Sequence, residues 1–253
     1  MTLVLAVSLV FTGLVVGTLA GILGLGGGVF LVPVLVAFGY PPLNAVATSS
    51  IPVLVAAVSG VSAHIRSKQL RLVRALRIGV IAAAAAQVGV FLAHHVNSRL
   101  LLILFACFLL ANISLMRLRR SVSKKTAPKE GWEFVWSEIF IGALGGVFSG
   151  FFGVGGGVIM VPLLVLLVAE PLKDAVRTSM AVVLVSAISS SIGHALKGSV
   201  LWDVGLLLAA GSLVGAQLGV MLLPKLSEKM VRKIFVGMLS LLACYVFVKA
   251  LIM

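Results

Sequence analysis

Charge is what this sequence has least of. Only 11% of its 253 residues are charged, and just seven are Asp or Glu. A soluble domain carries roughly 25% charged residues. A chain that is 61% hydrophobic cannot solvate its surface with so few. That arithmetic excludes a secreted disulfide scaffold, a nucleic-acid-binding domain and a disordered chain, and it implies an integral membrane protein. Cysteine is scarce too. Cys107 and Cys244 fall inside apolar runs, where they read as small buried side chains rather than a disulfide pair. No charged residue precedes Arg66, so the first stretch holds two or more spans of about 20 residues each. It lacks a basic n-region and a cleavage site, so it reads as membrane-embedded chain rather than a removable leader. No cluster has metal-ligand spacing, and no cofactor is expected.

What is present is a series of apolar segments, at about 3–38, 45–64, 78–95, 99–116, 137–169, 178–196, 203–223 and 231–251. The longest hydrophilic stretch runs from Arg117 to Lys129. It suggests a first membrane repeat at 1–116, a basic cytoplasmic linker at 117–136 and a second membrane repeat at 137–253. Trp132 and Trp136 read as interfacial anchors.

Two segments are too long for one helix and too rich in glycine to be regular. Gly21-Ile-Leu-Gly-Leu-Gly-Gly-Gly-Val-Phe-Leu-Val-Pro33 aligns with Gly150-Phe-Phe-Gly-Val-Gly-Gly-Gly-Val-Ile-Met-Val-Pro162 at an offset of 129. After one inserted residue the offset is 130, and Thr48-Ser49 falls on Thr178-Ser179, His64 on His194, and Gln87 on Gln217. Chance apolar similarity would not align the polar positions, so the chain is an internal duplication.

Basic residues decide between two topologies. With each glycine-broken segment turning back inside the membrane, Lys and Arg divide 17 against 3 between the two sides; with eight simple crossings they divide 13 against 7. Positive loops face the cytoplasm, so the first arrangement is preferred. The expected fold is an all-α polytopic membrane protein of two inverted repeats of about four membrane segments, the first of each half a glycine-broken helical hairpin. Both termini are then expected on the non-cytoplasmic side. Interrupted segments at matching places of inverted halves point to a transporter's binding site near the midplane.

Candidate site residues follow. Gly26, Gly27 and Gly28, with Gly155, Gly156 and Gly157, would leave bare N–H groups at helix ends, which suit an anion; tight packing through small residues is the alternative. Thr48, Ser49 and Ser50, with Thr178 and Ser179, open the following segments. They either cap those helices or converge on the anion. His64 and His194 titrate near neutrality and could couple protons or gate. His94 and His95 read as a solvated outer loop. Gln87 and Gln217 serve as interhelical glue or as gates. Arg177 is either a topogenic charge or an attractor of anions. All seven acids lie in loops or at segment ends, which argues against a cation site built on carboxylates.

The doubled Gly-x-Gly-Gly-Gly-x-x-x-x-Pro pattern, Gly24 to Pro33 and Gly153 to Pro162, resembles the TauE/SafE family of sulfite exporters, as do Thr48-Ser49 and Thr178-Ser179. The resemblance spans essentially the whole chain. It implies a bacterial or archaeal inner-membrane permease that exports small sulfur-containing or organic anions, such as sulfite or a sulfonate like sulfoacetate. It also implies that the glycine motifs and hydroxyl pairs are site positions. The halves depart from each other where Ser50 becomes Met180 and Ala47 becomes Arg177. The expectation is a secondary transporter, not an enzyme, working by alternating access; a channel-like anion permease is the alternative. Its partners are a small anion and the lipid bilayer, with a homodimer left open and no nucleic acid.

Overall fold

The computed structural model describes residues 3–66, 72–122 and 132–252. Among the described residues the chain is all α-helical: α1 (Leu3–Leu23), α2 (Gly28–Ala37), α3 (Pro42–Arg66), α4 (Leu72–His95), α5 (Ser98–Val122), α6 (Trp132–Phe152), α7 (Gly157–Leu167), α8 (Leu172–Leu196), α9 (Trp202–Leu222) and α10 (Glu228–Ile252). Eight are long and apolar enough to cross a membrane; α2 and α7 are the short ones. Each follows its long partner across a glycine break, so the hairpins read from the sequence are present. Residues 123–131 of the proposed linker lie outside the described residues.

Helix starts differ from the hydropathy reading. α3 begins at Pro42 and α8 directly after Pro171. Proline fits the first turn of a helix, where no N–H is needed. Thr48-Ser49-Ser50 and Thr178-Ser179 are therefore more than a turn inside their helices and do not open them. Another correction concerns the cysteines. Cys107 and Cys244 are free and exposed on the helix surface, not buried. In a membrane span a thiol facing lipid costs little.

Glycine lets the two halves interlock. α1 packs along α9 with Gly13, Gly17 and Gly21 against the backbone of Leu208, Ser212 and Ala216. α6 packs along α4 with Gly142, Gly146 and Gly150 against Ile78, Ala82 and Ala86. Without a Cβ the helix backbones come into contact, the packing that membranes favour because lipid supplies no hydrophobic drive between helices. Both pairs run parallel, since residue numbers rise together.

Other contacts fix the remaining directions. Ser59 donates to the Leu213 carbonyl and Thr48 accepts from the Leu201 N–H, so α3 runs with α9. Ser189 donates to the Ala83 carbonyl and Gly79 meets Val185, so α8 runs with α4. Ser191 donates to the Ser50 carbonyl and Gly60 meets Met180, so α3 and α8 are antiparallel. Hence α1, α3 and α9 point one way, and α4, α6 and α8 the other. Consecutive long helices α1 and α3 share a direction because α2 carries the chain back between them.

Candidate functional site

The glycine breaks meet at the centre of the molecule. Gly24, Gly26 and Gly27 have φ of 67°, 74° and 86°, and Gly153, Gly155 and Gly156 have φ of 63°, 80° and 73°. L side chains rarely adopt that left-handed region, which is why both turns need glycine. Gly26 and Gly155 lie against the same two side chains, Val53 and Val183, near the middle of α3 and α8. Gly28 abuts Val154, and Gly157 abuts Leu25. The two loops thus cross between the antiparallel pair, buried on all sides. α2 and α7 both begin at this crossing, at Gly28 and Gly157. Gly27 and Gly156 cap them with no side chain. Their carbonyls accept from Phe30 and Leu31, and from Ile159 and Met160, which leaves the earliest amides of each short helix without an intrahelical acceptor.

The hydroxyls tie the crossing together. Ser49 Oγ donates to the Gly153 carbonyl at 2.9 Å, sharing its proton with the Val46 carbonyl of its own helix at 2.8 Å, and Ser179 Oγ donates to the Gly24 carbonyl at 3.0 Å. Each serine therefore satisfies a carbonyl freed by the break in the opposite half, and neither caps its own helix. Ser50 turns back to the Ala47 carbonyl at 2.6 Å. Thr48 Oγ1 accepts from the Leu201 N–H at 3.0 Å, and Thr178 Oγ1 donates to Glu170 Oε1 at 3.0 Å.

The other candidates are dispersed. His64 and His194 are buried at opposite ends of the α3–α8 pair, so they do not form one site. His194 Nε2 is within hydrogen-bond distance of the Gly150 carbonyl, 2.9 Å, and its ring centroid is 5.4 Å from that of His94. His94 Nε2 is 2.9 Å from Ser199 Oγ. His94 is thus part of helix α4 and packs inward, not a solvated loop residue. Gln87 Nε2 donates to the carbonyl and hydroxyl of Ser189, both at 2.7 Å, joining α4 to α8. Gln217 lines a cleft between α3 and α9. Arg177 donates to Asp174 at 2.7 Å on its own helix.

One charged cluster escaped the sequence reading. Arg74 Nε donates to Glu138 Oε1 at 2.8 Å, and its Nη1 lies 3.3 Å from Glu170 Oε2. The guanidinium also sits 5.0 Å from the Phe134 ring centroid. All three charged side chains are buried, and Thr178 joins them through Glu170. The cluster joins α4 of the first half to α6 and to the segment that leads into α8 in the second. In the sequence its members are isolated charges at segment ends, with nothing to pair them.

Comparison with known proteins adds the relatives. The family described as "Sulfite exporter TauE/SafE" matches residues 9–246. The "Probable membrane transporter protein YunE" of Bacillus subtilis is 28% identical, covering 94% of this chain and 96% of that protein. "Probable membrane transporter protein MJ0441" of Methanocaldococcus jannaschii is 27% identical over 94% of this chain and 93% of its own length. A "Probable membrane transporter protein" of Xylella fastidiosa is 28% identical, with 93% and 92% covered. No solved structure matches the chain.

Proposed function

The chain belongs to the sulfite exporter TauE/SafE family of membrane transporters, and on that footing we propose that it is a secondary transporter exporting a small sulfur-containing or organic anion, such as sulfite or a sulfonate, by alternating access. The observation that carries the reading is the crossing of the two glycine loops, each pinned by a serine of the other half. Lipid offers no hydrogen bonds, so irregular backbone at that depth persists only where protein or a water-filled cavity covers it. Amide groups at the starts of α2 and α7 supply partial positive charge there. Gly26–Gly28, Gly155–Gly157, Ser49 and Ser179 are the proposed ligands, with Thr48, Ser50, Arg177 and Thr178 around them. In the closed crossing the serine hydroxyls are spent on carbonyls. An arriving anion accepts hydrogen bonds from those hydroxyls and from the amides in place of the carbonyls.

The opposed directions of matching helices support inverted repeats that rock about this crossing. The ends carrying Arg66, Arg74, Arg177 and Lys225 then face the cytoplasm, and both termini face away from it. His64 and His194, Gln87 and Gln217 stand at the two ends as gating or proton-coupling positions. The cell membrane of a bacterium or archaeon is the proposed location.

Counterflow of radiolabelled sulfite or sulfoacetate in proteoliposomes tests the reading. A carrier gives saturable flux that is accelerated by unlabelled anion on the far side. Flux without saturation or acceleration marks a channel-like permease, and no flux of any small anion refutes transport.

A further inference from the structure

The two halves are not equal at their ends, and the difference opens a cleft. Ser59 and Ser189 occupy matching positions and donate to matching carbonyls, Leu213 and Ala83. At the α4–α8 contact Gln87 then closes on the Ser189 carbonyl at 2.7 Å. At the α3–α9 contact Gln217 does not make the corresponding bond. Ser62 Oγ takes the Ser59 carbonyl instead, at 2.7 Å. At the closed end Gly193 lies so near Gln87 and Val90 that an added methyl would touch both. At the other end the matching residues Ala63, Gln217 and Val220 line a cleft of ≈ 360 Å³. Ligand pockets typically measure about 300–1,000 Å³.

The chemistry of the open cleft is cationic. Arg66 lines it, and among the described residues its walls hold no Asp or Glu. Leu196 stands at the matching place of the closed end. The Ser62 proton is committed to Ser59, which leaves Arg66 and the Gln217 amide as donors. Arg66 in the last turn of α3 also complements that helix's dipole. That role requires neither a cavity nor a glutamine released into it.

We propose that this cleft between the ends of α3 and α9 is an oxyanion site, with Arg66 and Gln217 as its hydrogen-bonding donors. A planar guanidinium and a primary amide suit a sulfur or phosphorus oxyanion. The same chemistry is offered by a soluble anion entering from the cytoplasm and by the phosphate of an anionic lipid, since Met221 on the cleft wall is exposed toward the bilayer. The inference rests on the transport reading only for which side of the membrane the cleft faces.

The test uses the full chain carrying Cys107→Ser, Cys244→Ser and Ala63→Cys, and follows the rate of maleimide labelling at position 63. One arm adds sodium sulfate at constant ionic strength in phosphatidylcholine nanodiscs. The other compares phosphatidylglycerol nanodiscs with phosphatidylcholine ones. Protection by sulfate assigns the site to a soluble anion, and protection by phosphatidylglycerol assigns it to a lipid headgroup. In either case Arg66→Gln should raise the protecting concentration about tenfold, the loss expected for one charge-assisted hydrogen bond. Unchanged labelling in both arms, or protection that survives Arg66→Gln intact, overturns the proposal. Labelling reads binding at the cleft and not flux, so a failure here leaves the counterflow result standing, and the reverse also holds.

Discussion

Ser49 donates its hydroxyl to the carbonyl of Gly153, 2.9 Å away and 104 residues later in the chain. The bond has a twin, Ser179 to Gly24 at 3.0 Å. Two chain breaks that would each strand a buried carbonyl are thereby repaired by the opposite half. An orphaned buried carbonyl costs about 1–3 kcal/mol. Ser49→Ala and Ser179→Ala should each lower stability by that amount in a mild-detergent unfolding assay. Ser50→Ala is the control. The Ser50 hydroxyl bonds only the Ala47 carbonyl of its own helix, so its loss should change the midpoint little.

Glycine substitutions should separate by surroundings rather than by residue type. Gly153 has φ 63° and a Cβ there would strike the Val46 carbonyl. Gly153→Ala should cost about 1–3 kcal/mol from strain alone, with the clash in addition. Gly198 has a similar φ of 68° but nothing within 4 Å, so its alanine variant should lose only about 1–2 kcal/mol. Gly237 lies in α10 with open space and no positive φ, and Gly237→Ala should stabilise by up to about 1 kcal/mol. Thermal unfolding of the three variants in one detergent checks the order.

The Arg74 cluster should behave as a unit. Arg74→Met removes the guanidinium that pairs with buried Glu138 and lies 3.3 Å from Glu170, and breaking a buried pair from one side costs about 3–5 kcal/mol. Neutralising both acids in the same chain, Glu138→Gln with Glu170→Gln, should recover most of that loss. Additive losses in the triple variant would contradict the pairing.

The two glutamines should differ although the duplication aligns them. Gln87→Leu removes a bond between α4 and α8, worth about 0.6–2 kcal/mol within a membrane. Gln217→Leu removes no such bond and should leave the unfolding midpoint within error.

The sequence carried the architecture far because its strongest signals are local. Apolar runs, glycine triplets and the matched Pro33 and Pro162 all lie within one segment each. The placement of the hydroxyls was legible only as far as their residue type. Pro42 and Pro171 set the helix starts, a signal that hydropathy overlooks, and it moved Thr48 and Thr178 from the helix ends into the interior. Pairings such as Ser49 with Gly153, Arg74 with Glu138 or His94 with Ser199 join residues 64 to 105 positions apart. No periodicity connects such residues, and only the packing of interlocked halves brings them together.

The most direct test of the central claim is anion flux past the crossing itself. Val53 touches both Gly26 and Gly155, so Val53→Cys, in a chain without Cys107 and Cys244, places one thiol against both loops. Sulfite counterflow in proteoliposomes is then measured before and after a small, negatively charged methanethiosulfonate reagent. If the crossing lies on the anion's path, the reagent stops the flux and saturating sulfite slows the reaction. Flux that continues at its original rate after complete modification would contradict the account.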